Sequence, residues 1–145
     1  MNEFFEDIPF GELDKRKELV LDIETARRFP TLEYAPKETA EAWNNHCKND
    51  RYKELTLSQS YEKYAGLFPE FNIICAISIG YDKDRVFTVI NWTASNELEE
   101  KKMLMEFANI ISNQLNLRLI GHTIKTFDIP HIVAKMISHR LGVPS

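Results

Sequence analysis

Only two cysteines, Cys47 and Cys75, occur in 145 residues, and neither sits in a CxxC pair. Neither a disulfide framework nor a zinc site is indicated. Cys75 lies in an apolar run and reads as a buried core thiol. No apolar run approaches the length of a membrane span. The opening residues Met1-Asn2-Glu3-Phe4-Phe5-Glu6-Asp7 are acidic where a signal peptide is basic, so the default compartment is the cytoplasm, with no membrane partner. Basic charge is not in excess either. The formal net charge of −4 is unlike that of a protein held on nucleic acid by a broad basic surface. Bound metal ions can still supply positive charge where phosphate must sit. Internal repeats and low-complexity tracts are absent, and 43% apolar with 28% charged residues is the composition of one ordinary globular domain.

What is present starts with Leu19-Val20-Leu21-Asp22-Ile23-Glu24-Thr25. The apolar residues argue for a strand in a covered sheet, and alternation then turns Asp22 and Glu24 to the same face. Adjacent carboxylates repel and lose hydration unless a cation compensates them. Hard oxygen ligands suit Mg²⁺ or Mn²⁺, which keep open positions for substrate phosphates. Alone, an Asp-x-Glu is better explained by two solvated acids at a strand end.

Along the chain, residues 1–11 read as an N-terminal arm whose Phe4, Phe5 and Phe10 pack on the domain. A first strand is expected over 17–24. The polar stretch 31–70, with short helices over 37–47 and 57–64, reads as a helical insertion within a single domain. Its Trp43, Tyr52, Tyr61, Tyr64 and Phe68 could stack on bases, but packing against a core explains them better. An apolar strand over 73–79, a turn over 80–84 carrying Asp82 and Asp84, and a returning strand over 85–91 form a hairpin. A helix from Glu97 to about residue 116 opens with Asn96 and Glu99 at capping-box spacing. A short strand over 117–121 follows, then a helix from Asp128 to Gly142 with Pro130 in its first turn. The order implies a mixed α/β sheet with flanking helices and a central first strand.

The second informative stretch is Gly121-His122-Thr123-Ile124-Lys125-Thr126-Phe127-Asp128-Ile129-Pro130. It puts an acid at a helix entry directly after a strand, at the end of the sheet where ligands gather. An Asp there is also accounted for as an N-cap. Together the two stretches resemble the first and second motifs of the DEDD 3′–5′ exonucleases: Asp22-Ile23-Glu24-Thr25, and Gly121 to Pro130 with its Phe127-Asp128 pair. The stretch Leu67-Phe68-Pro69-Glu70-Phe71 leading into the apolar strand, and the helix from Glu97, are similar to the branch related to the proofreading domain of family-B DNA polymerases. The resemblance covers residues 17–142.

The resemblance implies a ribonuclease H-like fold and metal-ligand roles for Asp22, Glu24 and Asp128. It implies two ions, Mg²⁺ or Mn²⁺, about 3.5–4 Å apart on a scissile phosphate, and a nucleic-acid partner, single-stranded DNA by preference, degraded from its 3′ end. The backbone at Ile23 and the side chains of Thr25, Thr123 and Phe127 are the candidates for holding the terminal nucleotide. Lys15, Arg16, Lys17, Arg27 and Arg28 could touch phosphate, but a flanking charge cluster of this kind reads better as a solvated face.

Two departures stand out. Thr123 occupies a place where the family usually carries Asn. No Asp follows Asp128 in this sequence, and His131 and His139 come too soon for the family's third motif. The expectation is a chain truncated before that motif, weakly active or inactive by itself, with an unpaired sheet edge that invites homodimerisation. The rival reading is an inactive nucleic-acid-binding or interaction module on the same fold. A small-molecule phosphohydrolase using the same acids is a third.

Overall fold

The computed structural model describes residues 17–48, 52–83, 85–114 and 117–144. The N-terminal arm, Asp84, Leu115 and Asn116 lie outside the described residues. Four strands form one mixed sheet in the order β3-β2-β1-β4. They are β1 (Lys17–Arg27), β2 (Asn72–Lys83), β3 (Val86–Thr93) and β4 (Leu117–Ile120). The helices are α1 (Lys37–His46), α2 (Leu57–Tyr64), α3 (Glu97–Ser112) and α4 (Asp128–Ser138). The first strand is interior, as expected. It runs antiparallel to β2 and parallel to β4, the latter only from Lys17↔Leu117 to Val20↔Ile120.

The expected alternation decides which face is covered. Leu19, Leu21 and Ile23 are buried with Ile77 and Ile79 of β2 beneath Met103, Leu104, Phe107 and Ile110 of α3 and Ile132 and Met136 of α4. Each such side chain contributes about 1.5–3 kcal/mol on full burial. Among the described residues no helix is long and apolar enough to cross a membrane.

Several boundaries differ from the sequence reading, and β1 itself runs on to Arg27, past the expected end at residue 24. The hairpin turn is shorter: β2 and β3 pair out to Lys83↔Val86, so Gly80 to Lys83 belong to the ladder and Asp82 lies opposite Phe87. A two-residue connection, in which Arg85 takes a φ of +66°, replaces the five-residue turn. Helix α3 stops at Ser112. Helix α4 ends before Gly142 because Arg140, at a φ of +57°, supplies the left-handed residue instead. The Arg140 and Leu141 amides donate back to the Ile137 and Met136 carbonyls at 3.0 and 2.8 Å, the paired pattern that closes a helix. At the start of α3, Asn96 accepts the Glu99 amide, but Glu99 answers to Ser95, whose amide and hydroxyl donate to it at 2.8 and 2.6 Å. The return bond has moved one residue upstream.

Residues 31–70 build a second small core. Trp43, Tyr61, Ala65 and Phe71 are buried there, with Phe68 and Tyr64 packed against them. Trp43 Nε1 donates to Ser60 Oγ at 3.0 Å. Packing, rather than display for base stacking, is therefore what these aromatics do. Cys75, expected in the core, is only half-buried. It sits where the β1–β2 register shifts, between Glu24↔Ala76 and Thr25↔Ile74, so the bulge turns it out of the core alternation.

Tyr61 carries a pH prediction. Burial pushes its phenol pKa up, against the opposing pull of the Phe29 amide, Arg27 and Arg28. The native state thus holds this proton more tightly. The stability it contributes is complete below the ordinary phenol value of about 10 and is lost as pH rises toward the higher folded value. Tyr61→Phe should flatten the alkaline loss of stability, read as urea midpoints across about pH 8 to 11. A variant that loses stability in parallel with the parent contradicts this.

Candidate functional site

β1 outruns its parallel neighbour. β4 ends at Ile120 and the chain turns away at Gly121, while β1 continues to Arg27. The next β1 amide on that side, Ile23 N–H, meets no strand among the described residues. Asp128 Oδ1 accepts it at 3.1 Å across 105 residues of sequence. The carboxylate of Asp128 therefore lies on the peptide between Asp22 and Glu24. Those two acids are exposed on the sheet face opposite Leu21 and Ile23, as alternation requires.

The N-cap account of Asp128 does not hold. Phe127 is the N-cap of α4 and makes no side-chain capping bond, and Asp128 is the first helical residue. Its carboxylate, 3% exposed, is spent on β1 instead of its own helix.

The connection from β4 to α4 is tightly built. A Cβ on Gly121 would fall 2.5 Å from the Leu21 carbonyl oxygen. Thr123 is held at a φ of +52°, a left-handed conformation that is an outlier for a β-branched residue. Its carbonyl accepts the Thr126 and Phe127 amides at 2.8 and 3.0 Å and the Thr126 hydroxyl at 3.0 Å. Its own side chain is exposed. Asn, which tolerates this region well, would sit there with less strain.

The remaining candidates are partly committed elsewhere. Ile23 has a buried side chain and an amide already taken. The Thr25 hydroxyl donates to the Gly66 carbonyl at 2.7 Å. Phe127 is half-buried, packs on the main core and lies 4.2 Å from the His131 ring. Arg27 donates to the Glu62 carbonyl and Arg28 pairs with Glu97, so neither points freely at a phosphate. Lys15 and Arg16 lie outside the described residues.

Sequence reasoning missed two polar features of α4. His131, 5% exposed, donates from Nδ1 to the Phe127 carbonyl at 2.9 Å, while its buried Nε2 meets no partner. Further along, Glu100 of α3 is 1% exposed. It accepts the Ile74 amide at 2.7 Å and His139 Nε2 at 2.8 Å, and forms an ion pair with Lys135 at 3.6 Å. Lys135 also donates to the Asn72 carbonyl. Burial pushes the Lys135 pKa down, against the pull of Glu100. The helical spacing of His131, Lys135 and His139 was visible, but nothing in the sequence shows that this stripe faces inward.

Among the described residues no group of three or more His, Cys, Asp or Glu side chains is gathered tightly enough to cage an ion. Asp22 and Glu24 share one exposed face, while Asp128 is buried with its carboxylate on the Ile23 amide. Carboxylates are hard-oxygen donors of the kind that Mg²⁺ takes while keeping most of its water. An open apolar cleft of about 100 Å³ lies between α3 and α4, lined by Leu21, Phe107, Leu119 and Met136. It opens on the helix side, not on the acids.

Compared with known families, with curated proteins and with solved structures, the chain matches none. The reading therefore rests on this geometry and on the residues themselves.

Proposed function

We infer that the chain is a metal-dependent 3′–5′ exonuclease-type domain of ribonuclease H-like fold, acting on nucleic-acid ends and on single-stranded DNA in particular. The observation that carries the reading is the Asp128 carboxylate seated on the Ile23 amide, between Asp22 and Glu24. A helix entry remote in sequence delivers its acid to the strand that holds the other two. An N-cap or a solvated acid gives no reason for that placement.

Asp22 and Glu24 would hold Mg²⁺ or Mn²⁺, with Asp128 as the adjoining carboxylate. Bound there, the ions supply charge neutralisation and Lewis acidity at a phosphodiester. The chain's own residues do the rest. The Asp128–Ile23 bond fixes one carboxylate against the backbone, and the exposed Thr123 and half-buried Phe127 belong to the same connection between β4 and α4. No carboxylate follows Asp128 in this sequence. By itself the chain is read as binding metal and a 3′ end while turning over slowly. Self-association through the four-residue outer edge of β4 belongs to the same proposal.

Mn²⁺ binding tests the site. The parent chain should bind Mn²⁺ and, in its presence, a single-stranded oligonucleotide. Asp22→Asn should weaken Mn²⁺ binding by at least about tenfold with little change in melting temperature, because the side chain is exposed. Asp128→Asn keeps an oxygen for the Ile23 amide and should also spare the fold while lowering Mn²⁺ affinity. Equal Mn²⁺ titrations for parent and both variants would sink the metal reading. Oligonucleotide binding that ignores metal would favour the inactive binding module.

A further inference from the structure

The buried polar stripe of α4 has no part in holding a metal, yet it is built at the expense of burying charge. Glu100 and Lys135 are 1% and 6% exposed. A buried ion pair is weak grounds for stability, because desolvation offsets the attraction, but such a pair can specify one arrangement among several of similar packing. Here the arrangement concerns an axial position. Asp128 is the first residue of α4, Lys135 follows seven residues on and His139, the C-cap, eleven residues on, a spacing that keeps all three on one side. The first reaches β1 at Ile23, the second reaches β2 at Asn72 and α3 at Glu100, and the third reaches Glu100 alone. Apolar contacts through Ile132 and Met136 tolerate small slides and rotations. The directional bonds do not.

We propose that Glu100 and Lys135 are positioning residues that lock α4 along its axis, so that the Asp128 carboxylate is delivered to the Ile23 amide between Asp22 and Glu24. The proposal rests on reading Asp128 as a member of the carboxylate site. It extends that reading to two side chains that touch neither metal nor substrate.

Exchange of the Ile23 amide reports the seating of Asp128 directly. Alternation turns the neighbouring Asp22 amide toward β2, so it serves as an internal reference. Replacing the pair together, as Glu100→Leu with Lys135→Met, swaps charge for apolar bulk but leaves the Ile74 amide and the Asn72 carbonyl unmet, and should lower the melting temperature. Protection of the Ile23 amide relative to Asp22 should also fall at least about tenfold, since the carboxylate that accepts it would no longer be held in place. Glu100→Gln, which keeps an acceptor for the Ile74 amide, should show the same change in a milder form and carries the test if the double variant does not fold. A core variant on β2, Ile77→Val, should lower the melting temperature and leave the ratio alone. An unchanged ratio in the double variant, or in Glu100→Gln where the double variant is unfolded, overturns the positioning role. Mn²⁺ line broadening on the parent reads the metal site separately: no broadening at Asp22 and Glu24 overturns the nuclease reading, whatever the exchange ratio does.

Discussion

Trp43→Ala should cost about 3–5 kcal/mol and open residues 31–70 while the sheet stays folded. Trp43 is fully buried, stacked on His46 at 5.1 Å and met edge-on by Tyr61 at 5.4 Å and Phe71 at 4.9 Å. Its indole N–H is a hydrogen-bond donor to Ser60, whose hydroxyl donates to the Leu57 carbonyl. Truncation therefore removes the hub of the second core and leaves the buried Ser60 hydroxyl short of a donor. The main core under α3 and α4 contains none of these side chains. Trp92, buried in that main core, remains as the single indole reporter. The expected result is proteolytic nicking confined to 31–70, with Trp92 emission still that of a buried ring. One shared transition, with Trp92 exposed at the same urea concentration, would show that the two cores are a single cooperative unit.

The consequence reaches β1. The Gly66 carbonyl, at the edge of the second core, accepts both the Thr25 hydroxyl at 2.7 Å and the Asn72 side-chain amide at 2.8 Å. These bonds tie the far ends of β1 and β2 to the inserted helices. Loss of the second core should fray that end, two residues from Ile23, before it disturbs the Leu19 and Leu21 end.

How much of this was legible depended on the range of the interaction involved. Period-two alternation in Leu19, Leu21 and Ile23 announced β1 and the shared face of Asp22 and Glu24, because alternation is a property of the backbone alone. The Asn96 and Glu99 spacing is likewise local, and it marked where α3 begins. The hairpin turn was misjudged because Asp82 and Lys83 have turn-like side chains, whereas cross-strand pairing with Phe87 and Val86 prevails over that preference. The end of α4 was misjudged because glycine is the usual left-handed terminator and here Arg140 serves instead. Asp128 was legible as an acid at a helix entry. Its acceptance of the Ile23 amide, in place of a capping bond, depends on β4 stopping at Ile120. The Glu100 network was invisible for the same reason: its members come from β2, α3 and α4, and only packing brings them together.

Gly121→Ala should cost about 1–3 kcal/mol and abolish the seating of Asp128 together with any metal binding. The position needs no left-handed φ; what excludes a side chain is space. An added Cβ would meet the Leu21 carbonyl oxygen at 2.5 Å and the Ile124 side chain at 3.1 and 3.2 Å. The first of these is backbone of the interior strand and cannot swing aside. The turn must move away from β1 instead, and Ile124, Thr123 and Asp128 move with it, since the Thr123 and Ile124 carbonyls hold the Phe127 and Ile129 amides. Gly80→Ala is the control. Its Cβ would also come within 2.5 Å of an atom, but that atom is the tip of the Phe87 ring, which is 58% exposed and free to rotate. It should change stability by no more than about 0.5 kcal/mol. The pair separates crowding against backbone from crowding against a mobile side chain. If Gly121→Ala retains the protected Ile23 amide and melts with the parent, the close approach of this turn to β1 is not what delivers Asp128.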